Sequence, residues 1–266
     1  MRTEAFCFRQ TAFPKHGRNW RNMRNLRLDI CYDGTRYKGW QRLPGSDLTL
    51  QGKLETVLSR LLNENIEVSA SGRTDAGTHA KGQVVSFHCE NTMPCDKILE
   101  GLRAYLPEDV GVYSCKEASQ RFHARLNAKE KTYCYRLWNG AEPCVFERKY
   151  VYIDRSQLDV RAMHEAAQLY LGTHDFSAFC ANKNMKKSTV RAIKSFTVET
   201  CGPEIRFIVT GNGFLQHMVR IMVGTLLEVG KGERSADTIP ELFGAKRAEA
   251  GPAVPACGLC LMEVTY

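Results

Sequence analysis

The sequence lacks any apolar run long enough to cross a lipid bilayer, because charged residues interrupt every hydrophobic stretch. The residues after Met1 also lack the apolar core, roughly 7–15 residues long, of a secretory signal peptide. No dinucleotide fingerprint, phosphate-binding loop, short repeat or low-complexity tract is present. With 43% hydrophobic and 25% charged residues, the 266-residue chain can bury a sizeable core. At about 150 residues per domain, this length predicts one large domain or two modest ones.

Cysteine occurs at eleven positions, but the positions form no spaced disulfide framework. Most of the cysteines lie inside apolar runs, which indicates reduced core thiols and a cytoplasmic protein. Cys257 and Cys260 form a single CxxC without the second pair of ligands that a structural zinc site needs. We therefore expect no bound metal, and a metal or redox function of this pair is kept as an alternative.

The net charge of +8 is concentrated at the N-terminus, where residues 1–24 carry a net +5. We interpret residues 1–24 as a basic extension that is disordered or results from a misassigned start, since Met23 directly precedes the first clear strand. An Arg-rich transit peptide is the alternative. The rest of the chain carries only +3, so local clusters of cations are better indicators of nucleic-acid binding than the net charge.

Hydrophobic periodicity predicts strands and helices that alternate along the chain. Strands are expected at 26–32, 66–70, 84–88, 131–138, 148–153, 189–200, 204–210 and 259–265. Helices are expected near 49–63, 96–106, 156–171 and 214–229, with Thr49, Asp96 and Ser156 at three of the starts and Gly172 closing the third. Short turns join several strands, which favours an α+β fold with a mostly antiparallel sheet in two similar halves.

The most informative motif is GRTDAGTHA at residues 72–80, between two predicted strands. Its glycines permit a tight backbone, and Arg73 can help to keep Asp75 ionised. An ionised, positioned carboxylate can act as a nucleophile or as a base. From the spacing alone, a structural turn locked by an Arg–Asp pair is the favoured interpretation.

The motif resembles the signature loop of the tRNA pseudouridine synthase A family, whose usual form is GRTDAGVHA. The resemblance covers about residues 25–266, with one departure at Thr78, where the family usually has valine. Other segments resemble the family in the same order: 32–35 (YDGT), 37–41 (YKGWQ), 122–125 (FHAR), 131–135 (KTYCY), 174–179 (HDFSAF), 213–220 (GFLQHMVR) and 250–259, which begins AGP.

The resemblance implies two ferredoxin-like or RRM-like halves that form one extended, mostly antiparallel sheet flanked by helices. We expect the halves at 25–120, with the Asp75 loop, and at 121–266, which completes a basic active-site cleft. The implied activity is isomerisation of uridine to pseudouridine in the anticodon stem-loop of tRNA, at tRNA positions 38 to 40. The implied partners are tRNA and a second copy of the chain.

Site residues are carried over by the same resemblance. Asp75 aligns with the catalytic aspartate, and Tyr133 with the tyrosine that packs on the target base. Arg73 and Arg220 align with arginines that line the pocket, and Arg220 is the expected ion-pair partner of Asp75. The helix near 214–229 is apolar on nearly all sides, so Arg220 within it should be buried and need an acidic partner.

The reaction breaks the N1–C1′ bond, turns the base and joins C5 to C1′, so it needs no redox change and we expect no cofactor. The carboxylate could attack C1′, add to C6 or remove the C2′ proton, and the sequence does not choose among these routes. Asp75 and Tyr133 are both candidates for accepting the C5 proton.

Phosphate contacts supply much of the affinity of RNA-binding proteins, and two basic clusters are candidates for making them. A solvated surface is the alternative for each cluster. A non-catalytic RNA-binding protein of the same fold is the alternative for the whole chain. Tyr37 and Trp40 could stack a base or belong to local core. One cluster contains Lys183, Lys186, Lys187, Arg191 and Lys194, and the other contains Arg121, Arg125, Lys129, Lys131 and Arg136. The candidate phosphate contacts among them are Lys183, Lys186, Lys187 and Arg191 in the first cluster and Arg125 in the second.

Overall fold

The computed structural model describes residues 23–182 and 184–266, and this part contains ten β-strands and four α-helices. The strands are β1 Arg24–Tyr32, β2 Val68–Ala70, β3 His79–Cys89, β4 Val110–Ala118, β5 Glu130–Trp138, β6 Tyr152–Ile153, β7 Gly172–Asp175, β8 Val190–Cys201, β9 Glu204–Gly211 and β10 Leu259–Thr265. The helices are α1 Leu50–Leu62, α2 Cys95–Tyr105, α3 Val160–Gln168 and α4 Met218–Gly230. None of the helices described is both long and apolar enough to cross a membrane.

All ten strands belong to one sheet, in the order β4-β1-β3-β10-β5-β9-β8-β7, with β2 beside β3 and β6 beside β5. Neighbouring strands are antiparallel except for the β3–β10 and β5–β6 pairs. Strands β1–β4 lie on one side and β5–β10 on the other, and β10 joins the two groups by pairing with both β3 and β5. The expected α+β fold with an extended, mostly antiparallel sheet is confirmed.

The core follows from the alternation of apolar residues in the strands and from their stripes on the helices. Leu26, Leu28 and Ile30 of β1 are almost completely buried. Helix α1 presents Leu54 and Leu58 to the same core. Helix α4 is buried on nearly all sides, as its composition predicts, because it lies between the sheet and the segment that precedes β10.

The N-terminal prediction is wrong at its C-terminal boundary, because β1 already begins at Arg24. The Arg24 guanidinium pairs with Glu117 on β4, so this residue belongs to the sheet and not to a basic extension. Met23 is also buried. The prediction for residues 1–22 lies outside the described residues.

Helix α3 begins at Val160, four residues later than predicted. The carboxylate of Asp159 accepts a hydrogen bond from the backbone N–H of Ala162 at 2.9 Å, so Asp159 and not Ser156 is the N-cap. Gly172 has φ +100° and begins β7, which was not predicted.

The other helix starts are shifted or uncapped. Asp96 lies in the first turn of α2 behind Pro94, and the Thr49 hydroxyl forms no capping bond at the start of α1. Strand β4 was missed because it is an edge strand in which only three of nine residues are buried, so its hydrophobic alternation is weak.

Candidate active site

The loop that carries Asp75 is held in place by the aromatic loop after β1. The Tyr32 hydroxyl lies 2.8 Å from the Thr74 hydroxyl, and Trp40 N–H donates to the Thr74 carbonyl at 3.0 Å. Gly39 has φ +91°, and a Cβ there would lie 2.9 Å from the same carbonyl oxygen, so the close approach requires glycine. Tyr37 and Trp40 are buried, so both belong to the local core.

His79 ties three segments together at the start of β3. Its Nδ1 accepts a hydrogen bond from Gly34 N–H at 3.1 Å, and its Nε2 lies 3.2 Å from the Cys257 carbonyl oxygen. Burial lowers the pKa of His79, which favours the neutral ring that this pair of bonds requires. The contact that Cys257 makes here is therefore a backbone contact.

The CxxC thiols have separate surroundings. The Cys257 thiol donates to the Val151 carbonyl at 3.4 Å, and Cys260 is buried within β10. Burial raises the pKa of Cys257 and raises the pKa of Cys260 to about 11, so both thiols are protonated at neutral pH. Across residues 23–182 and 184–266, no group of three or more His, Cys, Asp or Glu side chains is placed to hold a metal ion.

Asp75 and Arg220 form the predicted ion pair, with 3.2 Å between Asp75 Oδ2 and Arg220 Nη1. Both side chains are mostly buried, with 22% and 15% of their surfaces exposed. Asp75 precedes β3 and Arg220 lies on α4, so the pair joins the two groups of strands, as the sequence predicts. We refer to this location as the Asp75 junction.

The segment at 250–255 positions the Arg220 side chain. Arg220 Nε donates to the Val254 carbonyl at 2.7 Å. The segment can lie this close to α4 because residue 224 is a glycine. A Cβ at Gly224 would be only 1.8 Å from the Pro252 carbonyl oxygen. Gly251 N–H also donates to the Thr225 hydroxyl at 3.0 Å. The AGP motif therefore acts through packing against α4.

His217 belongs to the site but was not selected from the sequence. Its Nε2 lies 3.6 Å from Asp75 Oδ2, and its backbone adopts the left-handed conformation, φ 60° and ψ 7°, directly before α4. Burial lowers the pKa of His217, with smaller contributions from Arg220 and Arg247 opposed by Asp75, so the ring is neutral at neutral pH. The available signal was its position in the GFLQHMVR segment, three residues before Arg220.

Arg73 does not form the Arg–Asp lock that the spacing suggested. Its side chain is exposed, and among the described residues the Asp75 carboxylate pairs with Arg220 and His217 and not with Arg73. The ion pair is therefore made by a residue distant in sequence.

Tyr133 and Lys131 lie beside the Asp75 loop. A Cβ at Gly72 would be 3.8 Å from the Tyr133 hydroxyl and 3.4 Å from Lys131 Nζ. The Tyr133 ring is buried and meets Phe214 edge-on, with 5.1 Å between ring centroids. Burial raises the pKa of Tyr133 well above its ordinary value, so the side chain is a neutral phenol.

The candidate phosphate contacts have different surroundings. Lys186, Lys187 and Arg125 are exposed, whereas Arg191 is half-buried, and Lys183 lies outside the described residues. The charges of Arg125 and Arg191 both act on Lys131, so one candidate contact of each basic cluster influences the lysine beside the Asp75 loop.

Two further cations of these clusters are neutralised by acids. Lys194 pairs with Glu130 at 2.8 Å, and Arg136 pairs with Glu204 and Glu147. These two side chains are therefore less available to RNA than the clusters suggest from the sequence.

Comparisons with known proteins identify the family of this chain. The family described as "tRNA pseudouridine synthase" matches residues 30–127 and 166–266. The tRNA pseudouridine synthase A 1 of Clostridium tetani is 47% identical over 245 residues, which cover 92% of this chain and 100% of that protein. The tRNA pseudouridine synthase A 2 of a Bacillus cereus strain is 43% identical over the same shares.

Among solved structures, a chain of a Cbf5-Nop10-Gar1 complex matches with a TM-score of 0.34 and 14% identity, covering 76% of this chain and 45% of that chain. That likeness is too remote to bear on function. The family match and the two relatives, by contrast, span the Asp75 loop and α4 together. The chain belongs to the tRNA pseudouridine synthase family.

Proposed function

We propose that this chain isomerises uridine to pseudouridine in tRNA, with Asp75 as the catalytic nucleophile. The observation that carries the proposal is the Asp75–Arg220 ion pair at 3.2 Å, formed at the junction of the two strand groups in a chain of this family. The contact with the guanidinium orients the carboxylate, and an oriented carboxylate can act as a nucleophile.

Each residue at the Asp75 junction suits one requirement of the reaction. Attack by the carboxylate at C1′ displaces uracil with the electron pair of the N1–C1′ bond, whereas addition to C6 precedes the cleavage of that bond. The detached uracil must be retained until C5 bonds to C1′, and the carboxylate is then released from C1′ or C6. The Tyr133 ring offers an apolar face for retention. The C5 proton then goes to a base, and Asp75 suits this role better than Tyr133, because burial raises the pKa of the phenol.

We assign the anticodon stem-loop as the substrate region, at tRNA positions 38 to 40. A base must leave the helical stack before a buried carboxylate can reach it, and this costs least in a loop or at a stem end. Arg73 is exposed on the Asp75 loop and can contact the RNA around the target nucleotide. The exposed cations Lys186, Lys187 and Arg125 can contribute sequence-independent phosphate contacts.

The proposal also includes a homodimer in which one tRNA contacts both subunits, located in the cytoplasm. Light scattering of the purified protein, with and without tRNA, measures the number of chains in the particle. A monomer in both states would remove the dimer and leave the assignment of Asp75 intact.

The test of the reaction compares wild type with Asp75→Asn and Asp75→Ala on an unmodified tRNA transcript labelled with tritium at C5 of uridine. We expect tritium release and pseudouridine from wild type only, since the amide of Asn is not a nucleophile. Asp96→Asn on α2 is the matched control and should retain full activity.

Unchanged product from Asp75→Ala would remove the nucleophile assignment. Wild type that binds the tRNA but releases no tritium would favour the non-catalytic RNA-binding protein.

A further inference from the structure

Lys131 is a half-buried cation with one hydrogen-bonding partner in the described part of the chain. Its ammonium donates to the Ser71 carbonyl at 2.6 Å, and none of the carboxylates described lies within ion-pair distance of it. The neighbouring Glu130 is occupied by Lys194. An ammonium carries three N–H donors, so two are available to a ligand.

The position of Lys131 relates it to the proposed base site. Lys131 and Tyr133 are two residues apart on β5, so their side chains lie on the same face, about 7 Å apart along the strand. Both side chains approach Gly72 at the start of the Asp75 loop. A nucleotide whose base packs on Tyr133 therefore has its sugar–phosphate backbone within reach of Lys131.

The surroundings of Lys131 favour an anion. Burial and the nearby charges of Arg125 and Arg191 lower the pKa of Lys131 to about 8, because an uncompensated cation is costly there. The Arg191 guanidinium donates to the carbonyls of Ser188 and Val190. Like Lys131, it forms no ion pair with a carboxylate in the described residues. The charges of three cations therefore act at this location, and none of the three forms an ion pair with a carboxylate in the described residues.

We propose that Lys131, with Arg125 and Arg191 at the rim, binds a phosphate group of the target nucleotide. This inference rests on the proposed function, because it assigns the backbone of the same nucleotide whose base reaches Asp75. The bound phosphate supplies the missing negative charge, and its oxygens accept the two remaining N–H groups of Lys131. The site fixes the register of the RNA relative to the carboxylate.

The test uses anticodon stem-loop RNAs in which each phosphate near the target uridine is replaced, one at a time, by an uncharged methylphosphonate. Binding is measured for wild type, Lys131→Met and the control Lys116→Met, which lies on the edge strand β4. We expect one linkage at which neutralisation weakens wild type and Lys116→Met about tenfold but leaves Lys131→Met unchanged.

A second measurement is the dependence of log K on log salt concentration. Lys131→Met should reduce the slope by about 0.7–0.9, which corresponds to one lost phosphate contact, and Lys131→Arg should retain the wild-type slope. If Lys131→Met is unfolded by circular dichroism, Lys131→Gln replaces it, because its amide can still donate to Ser71.

Equal losses at every linkage in wild type and Lys131→Met, with an unchanged salt slope, would overturn the phosphate site and leave Lys131 as a brace for the Asp75 loop. The proposed function would fail separately from the phosphate site. In that case one linkage would weaken the binding of wild type but not of Lys131→Met, and wild type would form no pseudouridine in the unmodified RNA.

Discussion

Thr78 is the residue at which the Asp75 loop departs from the usual form of its family. Its side chain is buried, and its hydroxyl has no hydrogen-bond partner in the described structure. An unsatisfied buried hydroxyl destabilises the folded state, whereas valine has the same branched shape without a polar atom. The departure therefore lowers stability without touching the carboxylate.

We expect Thr78→Val to raise the free energy of unfolding by about 1 kcal/mol, since it removes the desolvation penalty. Urea denaturation measures the change. Thr74→Val is the matched control of opposite sign, because it breaks the 2.8 Å contact between the Thr74 and Tyr32 hydroxyls. Equal or lower stability of Thr78→Val would mean that the hydroxyl has a partner in solution.

At the residue scale, the sequence predicted Asp75 and Arg220 as a pair because a charge in an apolar helix needs a partner. It did not predict His217, since the contact depends on a left-handed backbone conformation at a helix start. It also favoured a structural Arg73–Asp75 pair, whereas the Arg73 side chain is exposed and the Asp75 carboxylate pairs with Arg220 and His217.

The pairing of α4 with the segment at 250–255 is the contact between elements that positions Arg220. The two backbones approach so closely that a Cβ at Gly224 would lie 1.8 Å from the Pro252 carbonyl oxygen. A Cβ at Gly251 would lie 2.7 Å from the Thr225 backbone nitrogen. Backbone atoms cannot move aside as the end of a flexible side chain can. A side chain at either glycine must therefore separate the two elements.

We expect Gly224→Ala to lower the free energy of unfolding by about 3 kcal/mol, because the added Cβ overlaps the Pro252 carbonyl. The activity of the folded fraction should fall as well, since the Val254 carbonyl that holds Arg220 moves with the segment. Thermal denaturation and tritium release measure the two effects.

Gly230→Ala on the same helix is the control, because the three atoms nearest to its Cβ would all belong to the side chain of Met163 and not to backbone. Its stability should change by less than about 1 kcal/mol. Equal losses in the two variants would show that the α4–segment contact is not what limits stability.

The boundaries of elements were predictable where one face is fully buried. Helix α1 and strand β1 lie close to the predicted ranges because their apolar residues follow one period throughout. Helix α3 was misplaced because Ser156 and Asp159 are both acceptable caps and only the folded chain shows which one bonds. Strand β4 was missed because an edge strand buries few side chains.

At the scale of the whole molecule, one sheet crosses the boundary between the two predicted halves, 25–120 and 121–266. β10, the last strand of the chain, pairs with β3 of the first group and β5 of the second. The Asp75–Arg220 ion pair and the His79–Cys257 contact cross the same boundary. The two groups of strands therefore share hydrogen bonds, a core and the candidate active site.

We expect the chain to unfold in one cooperative transition, because neither group of strands keeps all its neighbours without the other. Two variants each retain one tryptophan: Trp20→Phe with Trp138→Phe retains Trp40, and Trp20→Phe with Trp40→Phe retains Trp138. Tryptophan fluorescence during urea titration of these variants reports on the two groups of strands separately. Their midpoints should coincide with that of circular dichroism. Two separated midpoints would instead establish residues 25–120 and 121–266 as independently stable domains.

The sequence by itself determined the family, the α+β class and most element types, because these depend on local motifs and on hydrophobic period. The resemblance to the family named Asp75, Tyr133 and Arg220 as candidate site residues. Tertiary structure decided which cations surround the carboxylate, which element positions Arg220 and where Lys131 lies. Asp75 and Arg220 are 145 residues apart, and no local spacing specifies a contact at that separation. Such contacts form only when β10 joins the two groups of strands into one sheet.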